Sequence, residues 1–201
     1  MDVLKVENVN FNYGSHKILT NLNFSMENNQ VIGLFGDSGS GKSTFCKVLT
    51  GFIKEYEGTV TINGEVPQGG FNPIQLIYQH PEKVMNPRWK MRDVLEESWM
   101  PDDNLLDEFG IKREWFNRYP SELSGGELQR FSILRALNPN TKFIIADEIS
   151  TMLDAVTQAQ IWDSLLKLAR KNNVGVLVVS HDKKLLNRIC DSIVYLSDIT
   201  E

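Results

Sequence analysis

Residues 36–44, "GDSGSGKST", fit the pattern G-x-x-x-x-G-K-[ST] between an apolar stretch, "QVIGLFG", and a helical one, "GKSTFCKVLTGF". Between a strand and a helix, that pattern is a phosphate-binding loop. The backbone N–H groups along Gly36, Asp37, Ser38, Gly39, Ser40, Gly41 and Thr44 cradle the phosphates, Lys42 reaches the β- and γ-phosphates, and the Ser43 hydroxyl ligates Mg²⁺. An ordinary Gly/Ser turn is the competing reading, and the flanking strand and helix weigh against it. "FIIADE" (143–148) ends a second apolar run with two carboxylates. In open α/β sheets ligand chemistry gathers at the carboxyl ends of strands. Asp147 is expected to bind Mg²⁺ and Glu148 to activate an attacking water.

Three further residues stand at comparable places. His181 closes "VLVVS" and suits a hydrogen bond to a γ-phosphate and water. Gln79 closes "LIYQ", where its amide can contact Mg²⁺ or the water. Tyr13 precedes a glycine turn and can stack on a base. His16 and His80 have no such context. "LSGGELQR" (123–130) then poses a question, because its glycines open what reads as a helix, and helix N-termini attract anions. The chain thus carries two anion sites.

The elements that must position these residues are short apolar strands alternating with helices. "GTVTING" (58–64), "IQLIYQ" (74–79), "KFIIADE" and "GVLVVSH" read as strands. "TQAQIWDSLLKLARKNN" (157–173) is an amphipathic helix with Ile161, Leu165, Leu168 and Ala169 on one face. The alternation predicts an α/β fold with a mostly parallel sheet. Residues 2–26 read as strand segments around the turn "YGSH", and residues 91–122 as short helices punctuated by Pro101 and Gly110.

A chain of 201 residues fits one domain. Its net charge of −5 and the absence of a basic cluster argue against nucleic acid as a partner. Cys46 and Cys190 match no metal spacing and read as buried hydrophobes in a reducing, cytoplasmic setting. The N-terminus lacks the features of a signal peptide, and no apolar run approaches the ~20 residues of a membrane span. Direct lipid insertion is not expected, so any work at a membrane needs another chain to span it.

In combination these motifs resemble the ATPase subunits of ATP-binding-cassette transporters. Tyr13, "GDSGSGKST", Gln79, "LSGGELQR", "FIIADE" and "SHD" stand in that family's order, and "STMLD" with Asp154 is similar to its D-loop. The resemblance implies a P-loop NTPase fold with an N-terminal antiparallel β subdomain and a small helical subdomain over about 86–138, all within one domain, 1–201. It implies ATP and Mg²⁺ as cofactors, Glu148, His181 and Gln79 as catalytic residues, and Ser43, Gln79 and Asp147 around the metal. It also answers the question of the second anion site. In the family two ATPase subunits, identical or homologous, pack head to tail. Ser124, Gly125 and Gly126 of one would hold the γ-phosphate bound on the other's P-loop, with Asp154 nearby.

"YQHPEKVMNPRW" (78–89) and "STMLDAVTQAQIW" (150–162) resemble the peptide/nickel importer branch. That implies an ATP-hydrolysing subunit powering import of peptides, nickel or metal–metallophore complexes. It would sit at the inner face of the cell membrane through permease subunits. Three departures are visible: Ile149 in place of a proline, a short stretch from Gln79 to the signature, and no C-terminal tail of the kind the branch has. The alternative is a soluble relative acting on ribosomes or DNA. Repair proteins of that kind insert a long coiled coil between P-loop and signature. Here 79 residues lie between Thr44 and Ser124, none with a heptad pattern. A small-molecule kinase would not need the LSGG loop.

Overall fold

The structure, a computed structural model, describes residues 1–151 and 153–200. Met152, within the D-loop-like stretch, and Glu201 lie outside the described residues. The strands are β1 (Val3–Tyr13), β2 (His16–Glu27), β3 (Val31–Phe35), β4 (Glu57–Ile62), β5 (Ile74–Ile77), β6 (Phe143–Asp147), β7 (Gly175–Ser180) and β8 (Ser192–Tyr195). The helices are α1 (Lys42–Leu49), α2 (Met91–Glu96), α3 (Asp103–Glu108), α4 (Gly125–Ala136), α5 (Ala155–Lys171) and α6 (Lys183–Ile189).

β1 and β2 form a hairpin closed at Gly14–Ser15, with Tyr13 opposite His16. Its register shifts where Asn8 and Asn21 adopt φ of 51° and 45°, a left-handed conformation that asparagine tolerates better than most residues. Each irregularity is braced from the facing strand. Asn21 N–H donates to Asn10 Oδ1 at 2.9 Å, and Asn8 N–H donates to Asn23 Oδ1 at 3.0 Å. β4 pairs with the other edge of β1, so the stretch "GTVTING" extends this antiparallel sheet and not the parallel one.

The other five strands form a wholly parallel sheet in the order β5-β6-β7-β3-β8. β8, "SIVY", had no reading as a strand in the sequence, being short and only half-buried. Alternation across the pleat divides the core. Ile144, Ala146, Val176 and Val178 face one cluster, which includes the apolar residues of α2–α5. Phe143, Ile145, Leu177 and Val179 face the other, shared with α1 and the antiparallel sheet. With both faces covered, these strands read as continuous apolar runs.

The segment between β5 and β6 carries α2, α3, α4 and three 3₁₀ turns, at Pro81–Lys83, Arg113–Asn117 and Pro120–Glu122. α4 is its hub. Phe131 is fully buried against Trp115 and Phe116, and the carbonyl of Leu134 accepts the indole N–H of Trp99 at 2.7 Å.

Strand register sets the site. Phe35 pairs with Ser180, and Asp147 with Val179. The carboxyl ends of β3, β6 and β7 are therefore level, and the residues that follow them emerge at one edge.

Candidate nucleotide site

Residues 36–41 form the loop between β3 and α1. Gly39 and Gly41 have φ of 81° and 103°, conformations that favour glycine. A Cβ on Gly41 would also sit 3.2 Å from the Ile18 carbonyl oxygen, so β2 packs directly under the loop. Lys42 is 6% exposed, and its Nζ donates to the carbonyls of Gly36 and Asp37 at 2.6 and 2.7 Å. Its ammonium thus lies in the concavity of the loop. Gly41 caps α1 without a side-chain acceptor, which leaves the first-turn N–H groups available to an anion.

Asp147 ends β6 beside this loop. Burial pushes its carboxyl above the usual carboxylate range; the Ser43 hydroxyl opposes that shift and the charge of Glu148 adds to it. Its Oδ1 is buried and has no hydrogen-bond partner. A buried carboxylate oxygen without a partner, next to a serine hydroxyl, is an environment a divalent cation would satisfy, so these residues fit Mg²⁺. Among the described residues no group of three His, Cys, Asp or Glu side chains could hold a metal alone. A metal here would draw further oxygens from phosphate and water.

Glu148 follows with φ of 50°, uncommon for a residue with a side chain. Its N–H donates to the Val179 carbonyl at 3.0 Å, which ties it to β7. Its Oε1 lies 2.9 Å from His181 Nδ1. The structure therefore brings together Glu148 and His181, which are 33 positions apart. Gln79 joins them indirectly. β5 ends at Ile77, so Gln79 lies two residues past the strand and not at its end. There its Nε2 donates to Thr151 Oγ1 at 2.9 Å, and that hydroxyl donates to the Glu148 carbonyl at 3.1 Å.

Tyr13 is exposed and stacks edge-on with Phe11 at 4.8 Å between ring centroids. Asp154 caps α5: its carboxylate accepts from the N–H groups of Val156 and Thr157 and from the Thr157 hydroxyl, which lowers its pKa. Ser124 caps α4 in a reciprocal box. Glu127 accepts the Ser124 N–H at 2.7 Å, and Ser124 Oγ accepts the Glu127 N–H at 3.4 Å. Gly126 faces Leu153 and Thr157, each 3.6 Å from where a Cβ would stand. Ser124 and Gly126 line a cleft of about 640 Å³ with Glu127, Arg130, Thr157 and Gln160. Glu148 and His181 line a different one, of about 280 Å³. Among the described residues, none from the loop 36–44 lines the cleft of the signature.

The sequence reading missed Ser150, Thr151 and Gln129. Gln158 Nε2 and Trp162 Nε1 both donate to Ser150 Oγ, at 2.8 and 3.0 Å. Gln129, 2% exposed on α4, donates to the Tyr78 carbonyl at 3.3 Å. The only sequence signal was a pair of hydroxyls one residue past two carboxylates, and a glutamine three places past the signature glycines.

A glycine-rich strand-to-helix loop beside an acidic strand end, on a parallel sheet covered on both faces, defines a P-loop NTPase fold. The family model described as "ABC transporter" matches residues 19–151, and the chain belongs to that family. A Bacillus subtilis protein, YkfD, provisionally named as an oligopeptide transport ATP-binding protein, is 34% identical over 208 residues, 92% of this chain and 63% of that protein. The oligopeptide transport ATP-binding protein OppF of Streptococcus mutans is 33% identical, over 95% of this chain and 70% of that protein. The nickel import system ATP-binding protein NikE of Staphylococcus aureus is 28% identical, over 98% of this chain and 87% of that protein. The chain thus spans less than two thirds of the first of these relatives. A solved ATP-binding subunit of an ABC transporter overlays with a TM-score of 0.81 at 22% identity, covering 96% of this chain and 85% of that one. That overlay speaks to the fold alone.

Proposed function

We propose that this protein is an ATP-hydrolysing subunit that powers a membrane importer, with peptides, nickel or metal–metallophore complexes as the transported class. The observation that carries the ATPase reading is the meeting of the loop 36–44, Asp147, Glu148 and His181 at one sheet edge. The relatives named for oligopeptide transport and nickel import support the substrate class. Among the described residues no helix is long and apolar enough to cross a membrane. This agrees with attachment to the inner face of the membrane through permease subunits. We read the chain as one ATPase domain whose segment 86–138 acts as the helical subdomain.

In this reading Lys42 and the backbone of Gly36–Thr44 bind the phosphates, and Tyr13 stacks on the base. Ser43, Asp147 and Gln79 hold Mg²⁺, which when bound would neutralise charge developing on the phosphates. Glu148 takes a proton from the attacking water. His181 fixes the direction of the Glu148 carboxylate and reaches the γ-phosphate. Asp147 offers a direct test of the metal assignment. Its raised pKa means that the folded state favours the protonated form more than the unfolded chain does. Stability is therefore greatest below the unfolded pKa and declines as pH rises through the folded one. Asp147→Asn is expected to raise the melting temperature of the nucleotide-free protein at neutral pH. It should also remove the extra stabilisation that Mg²⁺ adds to ATP. Thermal scans across pH, with Mg²⁺ or EDTA, measure both. A variant that still gains stability from Mg²⁺ would rule the metal role out.

We read the signature as holding a partner's nucleotide, since Ser124 and Gly126 open into a cleft of their own. Two defective variants should then complement each other. Lys42→Ala breaks the P-loop and Ser124→Arg blocks the signature. Each alone gives a dimer with a defect in both sites. In a mixed dimer both defects fall in one composite site and the other is intact. Mixing should restore ATP-dependent dimerisation or ATP occlusion. A site contained within one chain predicts no recovery at any ratio. If the second ATPase subunit is a homologous chain, one variant is placed in each subunit of the assembled transporter.

A further inference from the structure

We propose that Thr151 is a positioning residue that ties Gln79 to the backbone of Glu148. The inference rests on the ATPase reading of that site. A hydroxyl has one hydrogen to donate and lone pairs with which to accept. Thr151 uses both: it accepts from Gln79 Nε2 at 2.9 Å and donates to the Glu148 carbonyl at 3.1 Å. The same carbonyl also receives the Thr151 N–H at 3.3 Å. Two donors from one residue therefore fix the peptide that follows Glu148.

The turn that holds Thr151 is anchored behind it. Ser150 is 4% exposed, and its hydroxyl takes hydrogen bonds from Gln158 and Trp162, one turn apart on α5. The Leu153 N–H donates to the Ser150 carbonyl at 3.1 Å. On the other side Glu148 holds φ of 50° with its N–H bound to β7. A glutamate keeps such a conformation only where its surroundings enforce it. With N–H and carbonyl both restrained, the Glu148 carboxylate is directed toward His181. Among the described residues, the Gln79 side chain is hydrogen-bonded into this arrangement through Thr151, and the buried Gln129 of α4 restrains the adjoining Tyr78 carbonyl. A shift of the Gln79 segment would therefore be felt at Glu148 through one hydroxyl. Any effect should fall on turnover and not on nucleotide affinity, because Thr151 faces no residue of the loop 36–44 among the bonds described.

Thr151→Val keeps the branched shape and removes the hydroxyl, whereas Thr151→Ser keeps the hydroxyl. Thr151→Val is expected to lower kcat about three- to tenfold, the worth of one neutral hydrogen bond, with KM for ATP within about twofold. Thr151→Ser should stay near the wild type. In a Gln79→Ala background, Thr151→Val should cost less than in the wild type, because only its bond to the Glu148 carbonyl is left to lose. An independent readout is the side-chain amide NMR signal of Gln79 in the full chain. It should move in Thr151→Val and hold in Thr151→Ser. A Thr151→Val protein with wild-type kcat, an equal loss in both backgrounds, or an unmoved Gln79 signal would each overturn the proposal. If the wild-type chain hydrolyses no ATP even together with its ATPase partner in the assembled transporter, the ATPase reading fails and the NMR comparison alone decides the link. Should Thr151→Val not fold, Thr151→Ala is read by the same criteria.

Discussion

Replacing Glu148 with glutamine is expected to leave ATP bound and to slow its hydrolysis about 10²–10⁴-fold, the usual contribution of a general base. The amide matches the carboxylate in shape and cannot accept the proton. Its oxygen can still take the place of Oε1 beside His181, 2.9 Å away, so the local packing should survive. Among the described residues no hydrogen bond engages Oε2, the atom left to a water. Binding should be unaffected because Glu148 follows the end of β6 and is not part of the loop that carries Lys42. The measurement is single-turnover hydrolysis beside equilibrium nucleotide titration. Retention of more than roughly a tenth of wild-type turnover would remove Glu148 from the base role. A parallel loss of affinity would mean that the substitution disturbs the strand end and not the chemistry alone.

Lys42→Ala is expected to weaken ATP binding about 10²–10⁴-fold, from loss of two charge-assisted contacts worth about 1.5–3 kcal/mol each. The structure adds a second consequence. The ammonium bridges the carbonyls of Gly36 and Asp37, so its removal also deletes an internal brace of the loop. Those carbonyls border solvent and can rehydrate, so the fold should persist while the loop loses its preset curvature. Direct titration with ATP reads the first effect, and near-wild-type circular dichroism separates it from unfolding. Unchanged affinity would mean that the glycine loop is not the nucleotide site.

The nucleotide loop was legible in the sequence because its chemistry is local. Glycines at 39 and 41, a lysine and a hydroxyl must follow one another for backbone N–H groups to converge on a phosphate, and φ of 81° and 103° is the geometry they allow. The buried strands were legible for a similar reason, since a sheet covered on both faces demands unbroken apolar runs such as "FIIAD" and "GVLVVS". The start of α4 was legible in "LSGGELQR", whose glycines open a helix, while the reciprocal cap of Ser124 and Glu127 emerged with the structure. What the sequence could not supply was adjacency between distant strands. Nothing local assigns "GTVTI" to the antiparallel sheet or makes "SIVY" a fifth parallel strand beside β3, because pairing depends on which hydrogen-bonding edge is free once the other strands have assembled. Strand order and register together set Asp147 level with Val179, and so put His181 against Glu148. The φ of Glu148 and the placing of Thr151 between it and Gln79 belong to the same class. They arise where β7, α5 and the segment after β5 meet, and no pattern within any one of those segments encodes them.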